Sequence, residues 1–483
     1  MIVEDGAPAS ADFSDRVAIR TVVVLCLGGL VAALMQTLMI PIQPELPQLL
    51  GTFASNASWV ITATLLAASV AMPIAGRLAD MFGKQRVLLV SAVVLVVGSL
   101  VCALANSLLP MLVGRTLQGM AMGFIPVGIA MMREVAPPHL SSMAIASMSA
   151  TLGVGGAIGV PLAAWIAEDY DWHVLFWVSV GLAAAIGVAV ATLVPHVHDA
   201  NGGRLDVVGA LGLAVGLVAI LIAVSKGNDW GWGEPTTLGL LIGGLVVLLA
   251  WGWYETRHDD PLIDLAVTAR RPVLLTNVAA LAIGFGMMAQ VIVLPQLLEL
   301  PSATGHGMGQ TLLQAGLWMA PGGVMMMLFA PVSSKLIDGL GAKVTLLIGA
   351  TVLGLGYLAA LLLMGAPWQL LIASMIGSAG VGIGYAAMPT LVMNVVPGHE
   401  AGAAVGLNAL MRSCGGTIAA AAMGTVLASN TFDFGGHAVP TLGAFQVCFV
   451  FGAVAAFVGV AIAAGIPAAR RGVATEAESA MVH

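Results

Sequence analysis

Fourteen stretches of this chain are apolar for long enough to cross a lipid bilayer, and no other feature limits its fold as tightly. A helix needs about 20 apolar residues to cross the hydrocarbon core. Cut at charges, Pro/Gly clusters and Asn/Asp turns, six stretches fall at 20–44, 57–79, 86–106, 110–133, 143–167 and 173–194. Two follow at 206–225 and 237–255, and six more at 272–298, 311–336, 342–364, 368–394, 402–428 and 441–467. Backbone groups inside hydrocarbon must find partners within their own segment, which makes such runs helices. The expected fold is therefore an all-α membrane protein. Composition points the same way: 59% of residues are hydrophobic and 8% charged, against about 25% charged in a soluble domain.

The placement of charge orients the spans. An even number of spans puts both ends of the chain on one side. In loops that follow odd-numbered spans the only basic residue is Lys226. The other side collects Arg16, Arg20, Arg77, Lys84, Arg86, Arg133, Arg204, Arg257, Arg270, Arg271, Lys335, Lys343, Arg470 and Arg471. Cytoplasmic loops are the ones enriched in Lys and Arg, so both termini are expected in the cytoplasm. The first apolar run is too long for a signal-peptide core and reads as a retained span. Trp251, Trp253 and Tyr254 suit an interfacial aromatic belt.

The chain also repeats itself. "GRLADMFGK", from Gly76 to Lys84, returns as "SKLIDGLGAK", from Ser334 to Lys343, with Asp338 in the place of Asp80. Each copy follows the second span of a six-span set, and internal repeats of this kind mark secondary transporters. The expected organisation is a cytoplasmic segment 1–19, a six-helix bundle 20–194, a linker 195–271 carrying two extra helices, a second bundle 272–467 and a cytoplasmic tail 468–483. Other classes find no support. No phosphate-binding loop for ATP, no nucleophile with a nearby base and no basic stripe for nucleic acid is present. The pair His196 and His198 lacks further ligands for a metal. Cys26, Cys102, Cys414 and Cys448 all sit in apolar runs and read as small buried hydrophobes.

Several polar residues stand out against this background. Gly76 and Gly83 permit close backbone approach and a sharp turn. Asp80 is placed to accept hydrogen bonds from a helix N-terminus, and Arg77 or Lys84 to pair with Glu134. Arg115 is a cation about 8 Å of helix rise inside the fourth span, and intramembrane charges face the protein interior. Arg412 lies near the middle of the thirteenth span, with Asn408 one turn earlier on the same face. Its plain reading is an interhelical hydrogen-bond donor, the alternative a lining for a polar part of a substrate. The fifth span is rich in small residues, among them Gly155 and Gly159, which allow close helix packing, and Pro161 adds a kink.

These motifs resemble the major facilitator superfamily and, within it, the fourteen-span drug:proton antiporters. "GRLADMFGKQR" is an almost complete copy of the loop signature between spans two and three, and "LVGRTLQGMAMG", Leu112 to Gly123, matches the span-four signature. "GVPLAAWI", Gly159 to Ile166, matches the span-five antiporter signature only in part, with the proline displaced by one and alanine at both terminal glycines. The resemblance implies two six-helix bundles rocking about a midplane cavity in the cell membrane of a bacterium, and a monomer without cofactor or metal. It implies a latch at Gly76, Arg77, Asp80, Gly83, Lys84 and Glu134, repeated at Asp338, and a role for Arg115 in proton coupling. The expected activity is efflux of amphipathic compounds, drugs included, with protons and membrane lipids as the other partners. Export of an endogenous lipid or secondary metabolite is the alternative, and a non-transporting scaffold or sensor a more distant one.

One departure from the family matters. Its usual acid in span one, in a pattern near L-D-x-T, is replaced by Met35 in Leu34-Met35-Gln36-Thr37, and no span carries an acid near its middle. The candidate proton carriers are then peripheral. Gln36, Pro41 and Glu45 recur at constant offset as Gln290, Pro295 and Glu299. The two glutamates either face each other across the outer mouth, with Arg115 as a partner of Glu45, or are simply solvated charges at the external ends of their spans. Met35, Gln36, Gln290, Asn408 and Arg412 are the expected cavity contacts. Without a deep acid, neutral, zwitterionic or anionic substrates are favoured over strongly cationic ones.

Overall fold

A computed structural model describes residues 15–43, 45–197, 205–258 and 260–467. The segment before residue 15, the tail from 468, and Arg204, Arg470, Arg471 and His198 lie outside these residues. Among the described residues, 14 helices are long and apolar enough to span a membrane. In order they are Asp15–Thr37, Ser55–Phe82, Lys84–Ala103, Leu108–Val135, Pro138–Asp169, His173–Leu193, Val207–Trp230, Pro235–Glu255, Arg271–Glu299, Leu312–Leu340, Ala342–Leu362, Pro367–Met393, Gly398–Ser429 and Leu442–Ala464. They are numbered here as spans one to fourteen.

Two expectations fail locally. Span one does not run to residue 44 but ends at Thr37. Pro41 has no N–H to give and disfavours helix at Ile40, so the chain turns, with Ile40 N–H on Thr37 O at 3.1 Å. Lys226 belongs to no loop. Span seven continues to Trp230 and buries it, 2% exposed.

The packing follows the repeat. Span one packs on five and six, as span nine packs on thirteen and fourteen. Span two packs on four, span three on four and six; spans ten and eleven do the same with twelve and fourteen. The two bundles meet where span two crosses thirteen and where span five crosses ten. Spans seven and eight pair with each other, and seven lies along two and thirteen. Only 11% of the most apolar stretch of span eight is buried, against 72% for span twelve, which leaves most of span eight to lipid.

Small residues bring the helices together. A Cβ on Gly349 of span eleven would lie 2.4 Å from Gly384 N, and one on Gly380 would lie 2.4 Å from Leu353 N. Lipid tails are as apolar as the side chains, so association depends on this close van der Waals contact and on interhelical hydrogen bonds. Lys226 anchors the inserted pair by donating to Ser58 Oγ, and to Asp229 Oδ2 at 3.1 Å. Its ammonium also lies 5.2 Å from the centre of the Trp59 ring. Asn228 Nδ2 reaches Ala421 O of span thirteen at 3.0 Å.

A β-hairpin that the sequence analysis leaves as loop, Thr431–Phe434 paired with His437–Pro440, joins spans thirteen and fourteen. Its two-residue turn needs positive φ at both positions, supplied by Gly435 and Gly436. It sits over the loop after span nine, where His306 Nε2 lies 3.0 Å from Pro440 O.

Gly380→Val is expected to destabilise the detergent-solubilised protein by at least about 1–3 kcal/mol, the usual cost of overpacking, measured as a fall in melting temperature. Gly181→Ala, where a Cβ meets nothing within 4 Å, is expected to leave it unchanged or raise it slightly.

Candidate functional site

The bundles are clasped at the end of the molecule where the Asp80 loop lies, hereafter the basic end. Span two stops at Phe82 because Gly83 turns the chain with φ at 95°. Asp80, in the last turn, is 2% exposed and reaches across to the start of span thirteen. Its Oδ1 accepts the Gly402 N–H at 3.0 Å and its Oδ2 the Ala403 N–H at 2.9 Å. These donors are among the free N–H groups of a helix N-terminus, where an anion is favoured. The approach needs glycine on both sides. A Cβ on Gly76 would lie 2.1 Å from Gly402 O, and one on Gly402 2.6 Å from Gly76 O. Further along, Ser69 and Ser413 hydroxyls meet at 3.0 Å.

Lys84, not Arg77, takes Glu134, and its ammonium stands 3.6 Å from Asp80 Oδ1. It ties the start of span three to the end of four and offsets the Asp80 charge. Arg77 instead lines a cavity of about 290 Å³ with Asp80, Asp260, Asp264, His399 and Glu400. The second copy of the clasp is weaker. Asp338 is exposed; it accepts Ser142 Oγ of span five at 2.5 Å and Ser334 Oγ at 3.5 Å. Ser334 stands where Gly76 stands in the first copy, and Asp338 engages no helix N-terminus among the described residues.

Arg115 is fully interior at 2% exposed, and it does not meet Glu45. Nη1 donates to Gln118 Oε1 at 2.7 Å and to Met35 O at 3.2 Å, while Nε has no partner among the described residues. Gln118 in turn donates to Ser99 Oγ at 2.9 Å. The expected pairing fails because Pro41 ends span one early and carries Glu45 into an exposed loop. Met35 is 1% exposed, and its side chain is core rather than cavity wall.

The other expected cavity residues fall into separate clusters. Gln36 Nε2 is 3.2 Å from Met122 Sδ of span four. Gln290 donates to Ser374 Oγ at 2.8 Å and Ser374 O at 3.1 Å, both in span twelve. Arg412 lies over the Tyr385 ring at 4.1 Å, a cation–π contact. It also donates to Asn408 Oδ1 at 3.3 Å, and Asn408 Nδ2 donates to Asn277 Oδ1 at 3.0 Å. No hydrogen bond among the described residues joins the Gln36, Gln290 and Arg412 clusters. Tyr385 and Asn277 are absent from the expected set; a tyrosine inside a span, in a chain with only 4, was the available signal.

Glu299 closes span nine, with Pro295 inside the helix rather than ending it. The repeated Gln–Pro–Glu pattern thus has two different local structures. Both glutamates are exposed, and neither carboxylate has a partner among the described residues. In span five the small residues act as expected. A Cβ on Gly155 would lie 2.5 Å from Ala33 Cβ and one on Gly159 2.0 Å from Thr37 Oγ1, so span one seats on five there. Pro161 is carried within an unbroken helix and packs beside Gly316 of span ten. Outside the spans, the His173 N–H at 2.8 Å holds the Asp171 carboxyl below the usual carboxylate range.

Comparison with known proteins agrees with this geometry. The family model described as Major Facilitator Superfamily matches residues 25–421 and, in a second match, 280–479. The multidrug resistance protein B homolog of Mycobacterium tuberculosis (strain ATCC 25618 / H37Rv) is 28% identical over 451 residues, 90% of this chain and 81% of that one. The tetracenomycin C resistance and export protein of Streptomyces glaucescens is 27% identical over 428 residues, 86% of this chain and 76% of that one. The chain spans 61% of the length of one further curated relative and 44% of two others. Among solved structures, the human organic anion transporter MFSD10 superposes with a TM-score of 0.67 at 14% identity, over 92% of this chain and 99% of that one.

Asp80→Ala removes two hydrogen bonds to a charged acceptor, each worth about 1.5–3 kcal/mol. Hydrogen exchange at the Gly402 and Ala403 amides is expected to quicken by more than about tenfold. Asp338→Ala is expected to leave exchange at the start of span five within about threefold, because no backbone amide depends on it.

Proposed function

Because the chain belongs to the Major Facilitator Superfamily, we propose that it is a proton-coupled efflux transporter of amphipathic or lipophilic compounds, drugs included, working by alternating access. The observation that carries this reading is the clasp between the bundles. Asp80 holds span thirteen by hydrogen bonds to its first turn, with glycine on both faces. Such a contact is strong when made, yet it breaks without leaving a bulky side chain to repack, which suits an interface that opens and closes. The basic end is then the cytoplasmic end, and the clasped state is closed to the cytoplasm. The names of the relatives, with multidrug resistance and tetracenomycin C export among them, favour export of drug-like molecules by this chain too. The segments 20–194 and 272–467 are its moving halves, and one chain suffices for transport.

All acids in the described spans lie near helix ends, Asp80, Glu134, Asp169, Asp229, Glu255, Glu299 and Asp338 among them. The deep charged groups are Arg115 and Arg412. Such an interior favours neutral, zwitterionic or anionic substrates over dications. Arg115 is the coupling group: its buried charge lacks an acidic partner among the described residues and so responds to any proton or anion that enters beside it. Glu45 and Glu299, exposed near the opposite mouth, are the proposed points of proton entry.

Purified protein in proteoliposomes with an imposed pH gradient tests this. Uptake of a neutral lipophilic dye is expected to follow the gradient and to exceed that of a dicationic dye. Arg115→Ala is expected to cut gradient-driven flux at least about tenfold. The Glu45→Gln, Glu299→Gln double variant is expected to lower gradient-driven flux and spare exchange without a gradient. Flux indifferent to the gradient in the wild type would remove proton coupling, and unchanged flux in the double variant would remove the two glutamates.

A further inference from the structure

The inserted pair of spans ends in two buried acids that the transport reading leaves without a task. Asp206 immediately precedes span seven and Glu255 is the last residue of span eight; they are 6% and 2% exposed. One oxygen of each is already used. Asp206 Oδ1 accepts the Gly209 N–H at 2.8 Å and the Tyr254 hydroxyl at 3.2 Å. Glu255 Oε1 accepts the Ile263 N–H at 2.8 Å. The other two oxygens, Asp206 Oδ2 and Glu255 Oε2, are buried with no partner among the described residues. They converge on one point. A Cβ on Gly209 would lie 2.2 Å from Asp206 Oδ2 and 2.7 Å from Glu255 Oε2. Glycine is what leaves room for both.

Two ionised carboxylates facing each other away from water repel, and each is costly to bury unpaired. A single proton resolves this. It turns one oxygen into a donor for the other, removes one charge and satisfies both atoms. No group of three or more His, Cys, Asp or Glu side chains that could hold a metal ion lies among the described residues. The other titratable groups here among the described residues are Tyr254, which donates to Asp206, and His258, with Nε2 at 3.7 Å from Asp206 Oδ1. Arg257 lies over the Trp253 ring instead. Spans two and thirteen present apolar Val70, Ile74, Leu407 and Leu410 to this corner. The charged and titratable groups of the adjacent cavity are Arg77, Asp80, Asp260, Asp264, His399 and Glu400.

We propose that Asp206 and Glu255 form a proton-binding site, one proton shared between Oδ2 and Oε2, which docks the 260–264 turn on the junction of spans two and thirteen. Glu255 holds that turn through the Ile263 amide. Leu262 and Ile263, 1% and 3% exposed, pack with Leu407 and Leu410 beside the Asp80 clasp. With the proton bound, the turn is docked. As pH rises through the titration of the pair, the proton passes to water, the two anions repel and the Ile263 amide is released. The site binds its proton whether or not protons drive transport.

Infrared spectroscopy of the full chain in lipid nanodiscs, titrated with pH, tests the site directly. A protonated-carboxyl band is expected at neutral pH in the wild type and lost in both Asp206→Asn and Glu255→Gln, since either variant leaves one acid free to ionise beside an amide donor. Hydrogen exchange at Ile263, corrected for its intrinsic pH dependence, is expected to quicken about tenfold per pH unit above the titration, as release of one proton requires. No band in the wild type, or a band that survives in both variants, overturns the proposal. So does a band seen only in His258→Ala, which would make His258 the neutralising partner. If neither acid variant folds, the wild type decides. Loss of its band with unchanged exchange at Ile263 overturns the docking role.

Discussion

The junction of spans two and thirteen depends on backbone meeting backbone at glycine. In water, burying apolar area would hold two bundles together; in a bilayer it gives little, because lipid tails replace protein at no cost. Gly76 against Gly402 and Gly406 against the carbonyl of Met72 bring spans two and thirteen close enough for polar contacts to form. The Asp80 carboxylate then does two things at once. It satisfies amides that begin a helix in a place closed to water, and it places an anion on the positive end of that helix. Remove the close approach and the carboxylate no longer reaches; remove the carboxylate and two amides are stranded.

Much of this was legible in the sequence, for reasons that differ by level. Span number and repeat are written in hydropathy and in the recurrence of Asp80 as Asp338, and the packing of spans one to six on one another has its counterpart within nine to fourteen. The helix-end role of Asp80 was also readable, because loop glycines and an acid beside a helix leave few geometries. The pairing of Arg115 was not. Distance along the chain from a span end says how deep a residue sits, not which way its side chain points. Here the early stop at Pro41 moved Glu45 out of reach, and a carbonyl and an amide took the guanidinium instead. Lys226 misled for the related reason that a lysine near a helix end reads as loop, whereas Ser58, Asp229 and the Trp59 ring make it part of the packed helix.

As a member of the Major Facilitator Superfamily with 14 apolar spans among its described residues, this is a multi-pass membrane protein, and its chemistry lies in where charge is kept. The two deep cations are met without carboxylates, Arg115 by Gln118 and a backbone carbonyl, Arg412 by Asn408 and the face of Tyr385. Acids are held at the helix ends. An ion pair in the interior would have cancelled the charge locally and made each bundle indifferent to what enters it. Leaving the cations with neutral partners keeps the interior positive.

The same economy explains why the acids cluster where they do. A carboxylate at the end of a span can be stabilised by helix amides, as Asp80 is by Gly402 and Ala403, and needs no buried cation. Asp206 uses the Gly209 amide in this way and Glu255 the Ile263 amide, but each has a second oxygen with no amide left to meet it. Two half-satisfied acids sealed beside the junction of the bundles are a poor arrangement for charge and a good one for a proton. The repeat itself has no such pair, because spans seven and eight stand outside it. The inserted helices therefore bring to the clasped end a titratable group that the two repeated halves lack among the described residues, next to the contact of Asp80 with the start of span thirteen.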